Sequence, residues 1–308
     1  MAMELTQLET FVAVAEERSF SRAAVRLHRT QPAVSQTIRK LEVEVGEILL
    51  DRVARDGSLT AAGEVLLEYA QKLLNLRVEA SGALGELRAL HTGRLNLAAN
   101  EYTCLYLLPV LDRYRREYPQ IKVSVRRSLA SRIADQVQLH DVEMGILSFV
   151  TPDPALQSIV VYHDELVFVV SPEHPLANAG RVHIRDLGAE NFIAHNVPSP
   201  LRQTVIQAFQ KNKTPLNMGV ELPSLDAIKR FVAMGNGVAF MPGLVARPEV
   251  EAGRLVPVKV QGMNITRKLR LVYRRHATLS YAAGAFLETI EQLSGAVGRP
   301  FDFDRKAK

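Results

Sequence analysis

One cysteine and no tryptophan occur in 308 residues, and aromatic residues make up only 6%. A lone Cys104 excludes an internal disulfide framework and suits a reducing cytosol. With no partner apparent for it, Cys104 reads as a small packed residue rather than a nucleophile. No apolar run approaches the length that spans a bilayer. Glu4 and Glu9 interrupt any run that would form an export signal. The expectation is a cytoplasmic chain with no membrane partner. The histidines His28, His91, His140, His163, His174, His183, His195 and His276 keep no metal-ligand spacing, so no metal is expected. Neither a Gly-x-Ser-x-Gly elbow nor a phosphate-binding Gly-Lys-Ser/Thr loop is present. The run from Gly235 to Phe240 begins like a dinucleotide fingerprint but lacks its third glycine and enters a strand. No cofactor and no catalytic constellation are expected, and the chain reads as a non-enzyme.

What is present is an ordinary globular composition, 47% hydrophobic and 23% charged, over a length that suits two or three domains. The net charge of +5 is too small to name a partner, so local distribution decides. The N-terminal end carries three short amphipathic helices. Leu5, Leu8, Phe11, Val12, Val14 and Ala15 make the first stripe. Ser21 is a good N-cap for a second helix with Ala23, Ala24 and Leu27 inward. Thr30 caps a third helix, in which Pro32 falls in the tolerant first turn. Val34, Ile38, Leu41 and Val45 form its inward stripe, and Gly46 ends it.

Two short helices joined by a brief turn, covered by a preceding helix, form the helix-turn-helix pattern. Six basic residues and no acidic one lie between Arg18 and Leu41: Arg18, Arg22, Arg26, Arg29, Arg39 and Lys40. The outward residues of the third helix are Gln31, Pro32, Ser35, Gln36 and Arg39. Amides, hydroxyls and a guanidinium can satisfy base edges or phosphates, whereas carboxylates would repel them. Candidate DNA-binding residues are therefore Ser21, Arg22, Thr30, Gln31, Pro32, Ser35, Gln36 and Arg39. After Gly46, Leu49 and Leu50 begin a short strand. Asp56-Gly57 signals a turn, and Ser58 to Thr60 returns. Arg52 and Arg55 near that tip join the candidate set.

Beyond Gly63, the residues Leu66, Tyr69, Leu73, Leu76, Ala80, Ala83, Leu87 and Leu90 recur at alternating spacings of three and four. This is a coiled-coil seam, and it points to a dimerising helix. A two-fold protein predicts a near-palindromic double-stranded DNA site.

These residues carry a resemblance. Ala23-Ala24, Gln31-Pro32-Ala33-Val34-Ser35, Ile38, Leu41-Glu42, Gly46, Leu49, Arg52, Arg55, Leu59-Thr60 and Ala62-Gly63 resemble the winged helix-turn-helix of LysR-type transcriptional regulators. The likeness is dense over about sixty residues. Val45 and Leu50 replace the family's usual leucine and phenylalanine. Both keep an apolar side chain, so the swaps preserve the core. In the later half, ELPSLDAIKRFVAMGNGVAFMP resembles the family's serine-containing helix, glycine-rich turn and apolar strand ending in proline.

After Gly93, apolar runs alternate with helical stripes, which predicts a mostly parallel sheet covered by helices. Overall the chain reads as α/β. An N-terminal all-α winged helix-turn-helix (1–60) is followed by a long linker dimerisation helix (61–92). The resemblance implies that 93–308 is a two-lobed, periplasmic-binding-protein-like α/β effector domain. Lobe I takes 93–161 and 267–308, and lobe II takes 162–266. It also implies a homotetramer beyond the dimer that the seam predicts. Ligands of such sheets sit at strand ends beside helix N-termini. The polar residues there are Asn100, Thr103, Ser128, Ser131, Ser148, His195, Ser199 and Arg202. Helix amides, hydroxyls and the Arg202 fork would suit a small, anionic effector. The reading is a small-molecule-responsive transcriptional regulator. The open alternative is an α/β enzyme or small-molecule carrier whose N-terminal helices serve protein contacts.

Overall fold

The structure is a computed structural model that describes residues 3–51, 58–88 and 93–305. Backbone contacts divide the chain into two compact units. The first comprises Met1–Gly93 with Asp135–Val142, and the second comprises Arg94–Ala134 with Glu143–Lys308.

In the first unit, helices α1 (Leu5–Glu17), α2 (Phe20–Arg26) and α3 (Gln31–Val45) precede the long α4 (Ala61–Arg88). Leu8, Phe11, Val14, Ala23, Val34 and Leu41 are fully enclosed and form its core. Ser19, not Ser21, caps α2: the Arg22 amide donates to Ser19 Oγ at 3.3 Å. Two serines flank the partly buried Phe20, and the helix is capped two residues earlier than predicted. Thr30 holds the N-cap position of α3 but its side chain makes no capping bond. After α3 the buried Glu42 carboxylate accepts the Leu49 amide at 3.0 Å and the Leu50 amide at 3.4 Å. Leu50 pairs antiparallel with Leu59, so the chain does return as expected. Gly63 is required at the start of α4, since a Cβ there would meet the Leu49 carbonyl oxygen at 2.1 Å. Asn75 donates to the Leu139 carbonyl at 2.8 Å and to Asp141 at 2.9 Å, which ties 135–142 into this unit.

In the second unit the elements are β1 (Gly93–Ala99), α5 (Glu101–Glu117), β2 (Ile121–Arg127), the start of α6 (Ala130–Gln138, whose residues from Asp135 belong to the first unit), β3 (Met144–Leu147) and β4 (Leu156–Val170). Then follow β5 (Arg181–His183), β6 (Asn191–His195), α7 (Pro200–Lys211), β7 (Asn217–Leu222), α8 (Leu225–Ala233), β8 (Ala239–Pro242), α9 (Gly243–Glu251) and β9 (Val256–Gln261). The chain closes with β10 (Thr266–Arg274), α10 (Tyr281–Val297) and β11 (Phe301–Asp304). The sheet order is β2-β1-β3-β10-β4-β9-β5, and β6 pairs with β7.

The sheet is mixed, not mostly parallel. β4 and β10 run antiparallel from Thr266 opposite Glu165 to Arg274 opposite Leu156. Parallel pairing needs a crossover element. β10 returns between β3 and β4 and pairs antiparallel with both, and β9 pairs antiparallel with the other edge of β4. What reads in sequence as two apolar runs around His163-Asp164-Glu165 is the single strand β4. Its first half packs Ile159 and Val161 into a core with Tyr106, Leu271 and Phe286. Its second half packs Phe168 and Val170 into another core with Phe192, Phe209 and Val258. Two lobes therefore share one crossing strand. The glycine-rich turn before β8 is structural, because a Cβ on Gly237 would meet the Asn191 carbonyl oxygen at 2.4 Å.

Candidate DNA-contacting face and effector cleft

Helix α3 is divided by its own periodicity. Val34, Ile38 and Leu41 are at most 2% exposed, while Gln31, Pro32, Gln36 and Arg39 are exposed and Ser35 is half-buried. The exposed edge carries no acid from Gln31 to Lys40. Ser21 and Arg22 of α2 and Thr30 are exposed beside it in sequence order. The basic residues do not contribute equally. Arg26 pairs with Glu16 at 2.6 Å and Glu17 at 3.4 Å, which raises its already high pKa. Arg22 pairs with Glu17 at 3.7 Å. The acidic flank of α1 thus neutralises the α2 arginines. Arg29 and Arg39 make no ion pair among the described residues. Arg52 and Arg55 lie outside the described residues.

Helix α4 presents two apolar faces. Leu66, Leu67, Ala70 and Leu74 pack onto the core of the N-terminal helices. Leu66 therefore belongs in part to its own domain, a correction to its place in the seam. Tyr69, Leu73 and Leu76 remain 58%, 44% and 47% exposed. Ala80 is exposed with them. The side chains of Ala83, Leu87 and Leu90 lie outside the described ones.

In the second unit a cavity of about 70 Å³ is bounded by β6, α7, β7, α8 and β8, with Tyr102 of α5 across from them. Its walls are largely apolar, including Phe192, Met218, Ile228 and Phe240. Of the predicted effector residues, His195, Ser199 and Arg202 line it. Asn100, Thr103, Ser128, Ser131 and Ser148 do not. Asn100 and Thr103 cap α5 reciprocally: the Thr103 amide donates to Asn100 Oδ1 at 2.9 Å and the Asn100 amide to Thr103 Oγ1 at 3.1 Å. Thr103 is wholly buried, so its hydroxyl is committed to the cap. The Ser128 hydroxyl is buried with no hydrogen-bond partner, and Ser131 is exposed.

Arg202 differs from its sequence reading. Its Nη1 donates to the His195 carbonyl at 3.0 Å, and its Nη2 is paired with the Glu221 carboxylate. An incoming anion would share that guanidinium with Glu221. Ser199 accepts the Arg202 amide at 3.2 Å as the cap of α7.

Sequence reasoning missed Glu101 and Tyr102. Glu101 Oε1 accepts the Leu225 amide at the start of α8 at 2.9 Å, and Oε2 lies 3.4 Å from His195 Nε2. Arg127 stands 4.0 Å from the same carboxylate. An acid in a helix first turn is ordinary, so no local signal marks it. Tyr102 packs its ring 5.8 Å from that of His195. Burial, together with the neighbouring Glu101, pushes its hydroxyl up to about 12, partly offset by Arg267. Among the described residues, no group of three or more His, Cys, Asp or Glu side chains could hold a metal ion. No helix among them is long and apolar enough to cross a membrane.

Residues 5–64 match the bacterial regulatory helix-turn-helix protein, lysR family, and residues 88–294 match the LysR substrate binding domain. A "Probable RuBisCO transcriptional regulator" of Cyanidioschyzon merolae is 32% identical over 291 residues, covering 92% of this chain and 96% of that protein. A protein of the same name from Synechocystis is 32% identical over 298 residues, covering 94% and 86%. The fold is that of CbnR, a LysR family transcriptional regulator, with a TM-score of 0.71 at 20% identity over 94% of this chain and 99% of that one. CbnR complexed with its target DNA gives 0.69 at 21% identity, again over 94% and 99%. The chain belongs to the LysR family of DNA-binding transcriptional regulators, with an N-terminal helix-turn-helix and a C-terminal substrate-binding domain.

Proposed function

We propose that this regulator works in the cytoplasm, without catalytic activity, as a homodimer that pairs into a homotetramer on near-palindromic double-stranded DNA. Residues 1–60 read the DNA, 61–92 dimerise, and 93–308 take the effector. The observation that carries the reading is the acid-free exposed edge of α3. Gln31 and Ser35 face base edges from the helix start, the end that enters the groove in this motif. Thr30, with its uncommitted hydroxyl, and Arg39 hold phosphates. Pro32 offers an apolar surface to a thymine methyl. The exposed stripe of Tyr69, Leu73 and Leu76 is the dimer seam.

The effector is a small molecule whose apolar body enters between Phe192, Met218 and Phe240, with a polar group at His195, Ser199 and Arg202. Its binding shifts DNA affinity by a coupling on the order of 1–3 kcal/mol. The relatives named for RuBisCO regulation make a RuBisCO promoter duplex the first one to test. Full-length protein should bind such an operator far more tightly than a scrambled duplex. Binding that ignored substitution of Gln31, Ser35 and Arg52 would defeat the reading.

A further inference from the structure

A second cavity opens on the crossing strand β4 and its partner β10, walled by α9 and by the turn that precedes β11. Its volume is about 520 Å³, inside the range of roughly 300–1,000 Å³ typical of small-molecule sites. Four cationic side chains reach it from three places: Arg247 on α9, Arg267 and Lys268 on β10, and Arg299 before β11. Lys268 and Arg299 are exposed and make no ion pair among the described residues. Arg247 is exposed and reaches the Tyr162 hydroxyl. The acids of the lining are Asp164 and Glu165, and His163 is held by Asp302 at 2.7 Å. Asp164 is already committed to Arg267 and to the Leu244 amide at 3.1 Å.

Arg267 sits innermost among the four. Its side chain is 8% exposed, and its Nε donates to Asp164 Oδ2 at 2.9 Å. Its Nη2 lies 2.8 Å from that same oxygen but is not aligned to donate to it, so a buried guanidinium nitrogen has no acceptor. Buried donors are nearly always satisfied. A cavity lined by this enclosed guanidinium and by three further cations, with Asp164 already committed, marks a place for an anion.

We propose that this cavity binds a small polyanion, a polycarboxylate or a phosphate ester, with the exposed Arg247, Lys268 and Arg299 as its donors and the enclosed Arg267 as the innermost cation. The site lies on β4, the strand that both lobes share, and on its partner β10, where Lys268 pairs with His163 and Arg267 with Asp164. It is separate from the cavity lined by His195 and Ser199, yet connected to it. Arg267 also stands 5.9 Å from the ring centre of Tyr102, which lines that first cavity. An anion that drew Arg267 from Asp164 would alter the cation over Tyr102 and the carboxylate that fixes the start of α9. Occupancy is therefore coupled to effector binding.

Calorimetric titration of the full-length protein with pyrophosphate and, separately, with citrate tests the site. Saturable binding of one probe per chain is expected, weakening as salt rises. The paired substitution Lys268→Ala and Arg299→Ala, at exposed positions, should weaken binding about tenfold or more. Arg267→Gln should abolish it, and the exposed pair keeps the test valid if that variant fails to fold. Binding of one probe alone assigns the anion class, and binding of both supports the shared chemistry. No saturable heat with either probe, or equal affinity in the paired variant, overturns the proposal. Operator binding measured on the same samples reports on the DNA-reading function independently.

Discussion

Glu101 accepts the Leu225 amide at 2.9 Å, so a carboxylate at the start of α5 occupies the start of α8. The two residues lie 124 positions apart and belong to elements packed into different cores. Its other oxygen lies 3.4 Å from Nε2 of His195, which lines the cavity between β6, α7, β7, α8 and β8. A charge-assisted bond of this kind contributes about 1.5–3 kcal/mol. Glu101→Ala should speed hydrogen exchange at the Leu225 amide by roughly 10- to 100-fold. Unchanged exchange there would show that the contact does not hold the cleft.

The seam on α4 gives a second expectation. Leu73 lies 44% exposed in the single chain, and its partner-facing burial would contribute about 1.5–3 kcal/mol. Leu73→Asp should lower the mass by light scattering toward that of one 34.2 kDa chain. Leu67→Asp, on the face packed against the N-terminal core, should instead unfold the first unit. An unchanged assembly in the Leu73 variant would place the interface elsewhere.

Glu42 organises the turn beyond α3. Its buried carboxylate takes the Leu49 and Leu50 amides, which lead into the wing. Glu42→Ala leaves both amides short of a partner and should cost about 1–3 kcal/mol. Urea unfolding of the N-terminal unit reports it, and loss of less than a few tenths would contradict the assignment.

Alkaline pH should lower the stability of the second unit. Burial raises the Tyr102 hydroxyl from 10.0 to about 12, and burial also raises Tyr106 and Tyr162. A folded pKa above the unfolded one means the unfolded chain releases its proton first. The contribution is intact below pH 10 and is lost progressively as pH climbs toward about 12. Urea midpoints measured across that window should fall, and Tyr102→Phe should flatten the fall. A midpoint independent of pH would contradict the sign.

Local pattern made much of this molecule legible. Val34, Ile38 and Leu41 sort α3 into two faces in sequence as they do in space. Errors arise where two local signals compete or where partners are distant. Ser19 and Ser21 are equally good caps by residue type, and the structure uses Ser19. α9 follows Pro242 and contains Pro248, so its sequence reads as punctuation. Arg202 reads as an open donor until β7 brings Glu221 to it. Neither Glu101 nor the orphaned nitrogen of Arg267 has any local signature, because each is defined by chain segments far apart.

The account rests on α3 as the DNA-reading element. The most direct measurement is operator affinity for Gln31→Ala and Arg39→Ala against a panel of single-base variants across a salt series. Gln31→Ala should lose about 1–3 kcal/mol of discrimination at one base pair in each half-site. Arg39→Ala should weaken every sequence alike and reduce the salt slope by about one. Unchanged base preference and salt slope in both variants would contradict it.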